Sequence, residues 1–245
     1  MVSKFAVIIP AAGQSSRFGG GTRKKPFVDL KGRPVWVRTA EVFAGMDEVV
    51  QTILCVSPED IEGFKLKFAA NLAFMEIEIV EGGKTRAESV ENGLARVTDD
   101  VDYVAVHDAA RPLIVKKWVR EVFEAAEKSG AAIPAVPLSS TIKRVDASAI
   151  TETVDRTGLY AAQTPQVFAK QVLLDAYAKR QGYEATDEAE LVERSGHPVT
   201  IVNGWAMNLK ITTQDDFKMA EALIDALPPE KSLGALHPFS DERFL

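Results

Sequence analysis

The chain has 245 residues, 46% of them hydrophobic and 26% charged, which excludes global disorder and leaves enough residues for a buried core without a metal or disulfide staple. The net charge of −6 lacks the basic excess of a duplex nucleic-acid binder. No apolar run approaches the ~20 residues of a membrane span, and the apolar stretch at 5–10 is too short for a secretory leader, so the expectation is a cytoplasmic enzyme that binds neither nucleic acid nor membrane.

Short apolar runs alternate with helical patterns from the first residues onward. FAVIIP (5–10) predicts a strand and PVWVRTAEVFAGM (34–46) a helix. VVQTILCVSP (49–58) predicts a strand, PEDIEGFKLKFAAN (58–71) a helix and MEIEIVEGG (75–83) a strand. TRAESVENGLARV (85–97) is helical, DYVAVHD (102–108) a strand, and 115–130 a helix ended by Gly130, followed by the strand AAIPAVPL (131–138). This rhythm predicts an α/β fold: a mostly parallel sheet covered by helices on both faces. The continuous apolar strands agree, because parallel strands are buried on both sides.

The rhythm breaks at 139–160, where polar and β-branched residues alternate around a DASA turn. A projecting β-hairpin arm is predicted there, either packed on a partner subunit or solvated. Helices at 169–181 and 186–196, a strand at 199–204, a short strand NLKIT (208–212) and a helix at 214–227 follow. Residues 1–228 read as one domain, and the Pro-rich, aperiodic 229–245 as a tail.

The single cysteine, Cys55, excludes an intramolecular disulfide and a cysteine-based metal site, and its apolar run predicts burial. His107, His197 and His237 are scattered, against a histidine metal centre. The chemistry gathers instead at three strand ends. The first strand runs into PAAGQSSRFGGG (10–21), a small-residue loop that fits neither G-x-G-x-x-G nor G-K-[ST] but carries Arg17, with Lys24 and Lys25 just after it. Backbone N–H groups plus these cations make a polyphosphate clamp, the alternative being a flexible surface loop. At the end of 102–108, Asp108 is placed to meet a Mg²⁺ on phosphates or to pair locally with Arg111. His107 alternates away and reads as a packing residue. Gly82 and Gly83 precede Arg86 and Ser89 at a third junction, where Ser89 is either a first-turn helix residue or part of a nucleotide pocket.

Together these blocks resemble the 2-C-methyl-D-erythritol 4-phosphate cytidylyltransferases. The stretches are IIPAAG-x-x-x-R, KPF, GG-x-x-R-x-x-S, VHDAARP, TIKR, VDR-x-GLY-x-AQTPQ-F, TDEA and NLKIT, spread from residue 5 to about 225. Lys25-Pro26 departs from the family's usual Lys-Gln and looks more like the sugar-phosphate nucleotidyltransferases. The resemblance implies a Rossmann-like nucleotidyltransferase fold that transfers a cytidylyl group from CTP to 2-C-methyl-D-erythritol 4-phosphate and releases pyrophosphate. It implies nucleotide contacts from Ala11, Ala12, Gly13, Gly83, Lys84 and Ser89, with Arg86 supporting that loop. Arg17, Lys25 and Lys210 would be catalytic, and Asp108 would hold Mg²⁺. Arg111, Asp108, Thr164 and, from the arm of a neighbouring subunit in a homodimer, Thr141 and Arg156 would bind the acceptor. A ribitol 5-phosphate or sugar-phosphate nucleotidyltransferase, or a non-catalytic nucleotide-binding protein, are the alternatives.

Overall fold

The computed structural model describes residues 2–13 and 27–229 of the chain. β1 (Phe5–Pro10) opens the sheet, and a small hairpin of β2 (Asp29–Leu30) and β3 (Arg33–Pro34) leads into α1 (Val35–Ala44). Then come β4 (Val49–Val56), α2 (Ile61–Phe74), β5 (Ile77–Glu81), α3 (Arg86–Leu94), β6 (Tyr103–Val106), α4 (Lys116–Ser129) and β7 (Ala131–Pro137). The second half contributes β8 (Ile142–Asp146), β9 (Ala149–Val154), β10 (Tyr160–Ala162), β11 (Gln166–Ala169), α5 (Lys170–Ala178), α6 (Glu188–Arg194), β12 (Thr200–Asn203) and α7 (Gln214–Leu223).

The main sheet has the order β10-β7-β11-β6-β1-β4-β5, with β12 paired to β7. β1 runs parallel to both β4 and β6, and β4 parallel to β5. After β5 the chain crosses back to lay β6 on the other side of β1. The strand order therefore reverses between β1 and β6, and an open α/β sheet forms its ligand crevice at such a point, beyond the carboxyl ends of the strands.

Alternation along β1 divides the core in two. Val7 and Ile9 join Trp36 of α1, Phe64 of α2 and Phe123 of α4 on one face. Ala6 and Ile8 join Val90 of α3, Leu173 of α5 and Leu191 of α6 on the other. Both faces of the parallel strands are thus covered, as their unbroken apolar sequences require. A third, smaller cluster of Leu30, Val35, Leu113, Ile211 and Ala220 fastens α7 near β2. Gly130 ends α4 in the left-handed region (φ 79°) and donates its N–H to the Ala126 carbonyl at 2.7 Å.

The arm is present: β8 and β9 pair with each other and not with the main sheet. Its turn places Ala147 and Ser148 at positive φ (41° and 74°), the backbone that a two-residue hairpin turn demands. Two expectations change. NLKIT is not a strand; it passes irregularly under the end of β6, holding on by the Ile211 N–H to the Ala110 carbonyl at 2.8 Å and by burying Ile211. Conversely, β10 and β11 are strands that no periodicity announces, because three or four residues are too few to show one. β11 lies antiparallel between β6 and β7 and makes the sheet mixed. Among the described residues no helix is long and apolar enough to cross a membrane.

Candidate active site

Ala11, Ala12 and Gly13 leave β1 at the crevice. The Ala11 N–H is held by the Cys55 carbonyl at 2.8 Å, while Ala12 is half-buried and Gly13 exposed. The loop after β5 packs directly on this segment: a Cβ at Gly82 would collide with Ala12 Cβ, and one at Gly83 with Glu88 Cβ. Glycine is required there for close approach of backbone to neighbouring atoms. The loop is then clamped to the start of α3. Thr85 and Glu88 form a reciprocal capping box, and Glu88 Oε2 also accepts the Lys84 N–H at 2.6 Å. Ser89, expected to frame the nucleotide, is buried; its Oγ accepts the Gly83 N–H at 3.0 Å and donates to the Thr85 carbonyl at 2.9 Å. Its hydroxyl therefore shapes the loop from behind, leaving loop backbone to face the crevice.

Asp108 leaves β6 one strand away and is the hub of the charges. Its Oδ1 accepts Arg86 Nε at 3.0 Å, its Oδ2 lies 2.8 Å from Lys210 Nζ, and Arg111 Nε stands 3.7 Å from the same oxygen. Burial alone would raise its pKa, but Arg86, Lys210 and Arg111 outweigh burial and hold the carboxyl well below the usual range. Arg86 reaches past Asp108 to the buried Glu188, whose two oxygens both lie 2.8 Å from Nη1. Desolvation of Arg86 is overcome by these two carboxylates, so its guanidinium stays charged. The ladder Glu188–Arg86–Asp108–Lys210 runs from the core to a half-exposed ammonium.

A neutral network braces Asp108 from the other side. His107 Nε2 faces the Arg111 carbonyl at 3.1 Å, so Nε2 carries the proton. Nδ1 must then accept from the Thr164 hydroxyl at 3.2 Å, and Thr164 Oγ1 accepts the Asp108 N–H at 3.1 Å. Burial holds the imidazole down at about 4, consistent with a neutral packing histidine. Thr164, expected to touch the acceptor, is buried and fixes the Asp108 backbone in this chain. Asn208 Nδ2 donates to the Thr164 carbonyl at 2.8 Å, and Arg111 Nη1 to the Asn208 carbonyl at 2.7 Å. Among the described residues, the buried Arg111 Nε and Asn208 Oδ1 have no hydrogen-bond partner.

Six of the expected site residues thus converge: Arg86, Asp108, Arg111, Thr164 and Lys210 form one network, and Ser89 holds the adjoining loop. Thr141 and Arg156 do not join them. Both are exposed on and beside the arm, where Arg156 donates to the Ser139 carbonyl. Arg17, Lys24 and Lys25 lie outside the described residues. Cys55 is buried and its thiol is pushed up to about 12 by burial, which argues against a thiolate nucleophile. Sequence reasoning missed Glu188 and Asn208, which sit inside the TDEA and NLKIT stretches, the available signal.

The donor chemistry argues against Mg²⁺ on Asp108. Both carboxylate oxygens are already taken by cations, and a dication at Oδ2 would meet Lys210 and Arg111 at close range. Among the described residues, no group of three His, Cys, Asp or Glu side chains forms an alternative.

Over most of its length the chain is similar to proteins of one family. The family model for 2-C-methyl-D-erythritol 4-phosphate cytidylyltransferase matches residues 5–226. The Rhodopirellula baltica protein of that name is 43% identical over 231 residues, covering 90% of this chain and 94% of the relative. That of Bacillus velezensis is 42% identical over 226 residues, covering 91% and 97%. The crystal structure of the Thermus thermophilus cytidylyltransferase superposes with a TM-score of 0.75 at 34% identity, covering 91% of this chain and 99% of that one. With its crevice at the β1/β6 reversal and its family motifs gathered there, this chain belongs to the 2-C-methyl-D-erythritol 4-phosphate cytidylyltransferase family.

Proposed function

We propose that this chain transfers the cytidylyl group of CTP to 2-C-methyl-D-erythritol 4-phosphate, giving 4-diphosphocytidyl-2-C-methyl-D-erythritol and pyrophosphate in isoprenoid precursor synthesis. The observation that carries it is the Asp108–Lys210 pair at the carboxyl end of β6, which presents an ammonium at the mouth of a glycine-lined crevice. An oxygen of the acceptor phosphate attacks the α-phosphorus. The bond from that phosphorus to the bridging oxygen breaks, and its electron pair leaves with pyrophosphate. The phosphate monoester has a second pKa of about 6 and is already mostly dianionic at neutral pH, so no general base is needed. The obstacle is bringing two anions together, a repulsion of about 4 kcal/mol per charge pair at 4 Å and an effective dielectric of 20. Lys210, Arg17 and Lys25 supply the opposing charge, and Arg111 adds a bidentate-capable guanidinium on the acceptor side. Ala11–Gly13 and Gly83–Lys84 hold the nucleotide through backbone groups. Any magnesium would be held by the phosphate oxygens of CTP, the hard donors that this cation prefers, and would supply counter-charge there.

The active unit is a homodimer in which Thr141 and Arg156 of one subunit serve the other's acceptor site. Val145 and Ile150, paired across the arm, are 56% and 64% exposed, an apolar face suited to a partner surface. We propose that residues 1–228 act as a single cytoplasmic domain; the expected tail lies, beyond residue 229, outside the described residues. Phosphorus NMR of a reaction with CTP tests the proposal: two new diphosphate resonances of a CDP-linked product should form with methylerythritol phosphate and not with ribitol 5-phosphate. Product from ribitol phosphate alone would assign a different acceptor.

A further inference from the structure

Glu188 is the one acidic side chain of the cluster that the proposed mechanism does not use. It is also the more deeply buried of the two carboxylates, at 1% exposure. Burying a carboxylate is costly unless it is matched by a charge and hydrogen bonds. Both of its oxygens meet Arg86 at 2.8 Å, and the Tyr177 hydroxyl donates to Oε1 at 3.3 Å. The backbone N–H groups of Glu188 and Ala189 are fixed separately by Gln166 Oε1, so the start of α6 does not depend on the Glu188 carboxylate. What depends on it is Arg86.

Three cations, Arg86, Arg111 and Lys210, face Asp108. With Glu188 present, Arg86 has a carboxylate of its own, and Asp108 Oδ2 is left for Lys210. Without Glu188, Asp108 alone must balance all three. Lys210 is the most exposed of them, with 41% of its side chain accessible against 24% for Arg86 and 11% for Arg111. Solvent can stabilise the Lys210 ammonium, so it is the one released.

We propose that Glu188 is a positioning residue for cytidylyl transfer: by neutralising Arg86 in the core, it reserves Asp108 for Lys210 and so fixes the ammonium at the acceptor phosphate. This rests on the function proposed above. Removing a negative charge behind the site does not weaken attraction for an anionic acceptor. The signature is therefore a loss in kcat without a rise in KM.

The test is Glu188→Gln, with active sites counted by CTP-binding stoichiometry. We expect kcat per CTP site to fall about tenfold while KM for methylerythritol phosphate does not rise. In a Lys210→Ala background the same substitution should cost less than about twofold, because Glu188 acts through that lysine. A rise in KM for both substrates with kcat unchanged, or a further tenfold loss in the Lys210→Ala background, overturns the proposal and leaves Glu188 a structural residue. If Glu188→Gln does not fold, Tyr177→Phe loosens the same carboxylate. A loss in kcat of about threefold that vanishes in Lys210→Ala supports the proposal, and no loss overturns it. A wild-type protein that releases no pyrophosphate from CTP and methylerythritol phosphate contradicts the proposed function itself, a result distinct from either.

Discussion

His107 is fully buried, and its two ring nitrogens are committed to the Arg111 carbonyl and the Thr164 hydroxyl. Burial holds its folded pKa at about 4, below the unfolded value of about 6.5. The unfolded chain then binds more protons between those limits, so stability is full above pH 6.5 and falls as pH drops toward 4. From pH 7 to pH 5 this one group should remove about 2 kcal/mol. Urea unfolding at both pH values checks it: His107→Gln should be less stable than wild type at pH 7 but lose about 2 kcal/mol less on acidification. An equal loss in both proteins would refute the assignment. Asp108 adds a second loss at lower pH, because its folded pKa is also depressed and its ion pairs vanish on protonation. The sequence showed Asp108, Arg86 and Lys210 as separate charges on separate motifs. It did not show their pairing, since Arg86 and Glu188 are 102 residues apart and meet only because the fold brings the starts of α3 and α6 together.

At the scale of elements, the arm and the helix caps make separable predictions. Arg156 stands exposed beside β9, far from any need of the core. Arg156→Ala should leave the melting temperature unchanged while raising KM for methylerythritol phosphate about tenfold or more and KM for CTP less than twofold. Steady-state kinetics with each substrate varied decides this, and equal effects on both would remove the arm from the acceptor site. Asp216 closes the capping box of α7 and also accepts from the Thr212 hydroxyl and N–H, which holds its carboxyl down at about 2. Asp216→Ala should cost about 1–2 kcal/mol in denaturant unfolding without changing kcat. The parallel strands were legible as unbroken apolar runs, and the helices between them by the spacing of their apolar residues. β10 and β11 were not: their registers come from β6 and β7, not from their own residues. NLKIT misled because its apolar Leu209 and Ile211 alternate as in a strand while packing into the α7 cluster.

For the whole molecule, the single chain gathers Arg86, Arg111 and Lys210 around Asp108 but leaves Thr141 and Arg156 outside that network. In the proposed two-fold dimer each arm would serve the other subunit's site. At methylerythritol phosphate well below the wild-type KM, refolding a mixture of Arg156→Ala and Lys210→Ala chains should give more activity than the two parents together, since a mixed dimer contains one intact site. Activity no higher than the sum of the parents would argue for sites built within one chain. The measurement that bears most directly on cytidylyl transfer is pyrophosphate release, with CTP and methylerythritol phosphate given singly and together to wild type and to folded Lys210→Ala. Release only with both substrates, falling about a hundredfold or more in the variant, is the expected result for a cation that acts on the transition state. Release that ignores the acceptor, or a Lys210→Ala protein as fast as wild type, would contradict a reaction centred on the Asp108–Lys210 pair.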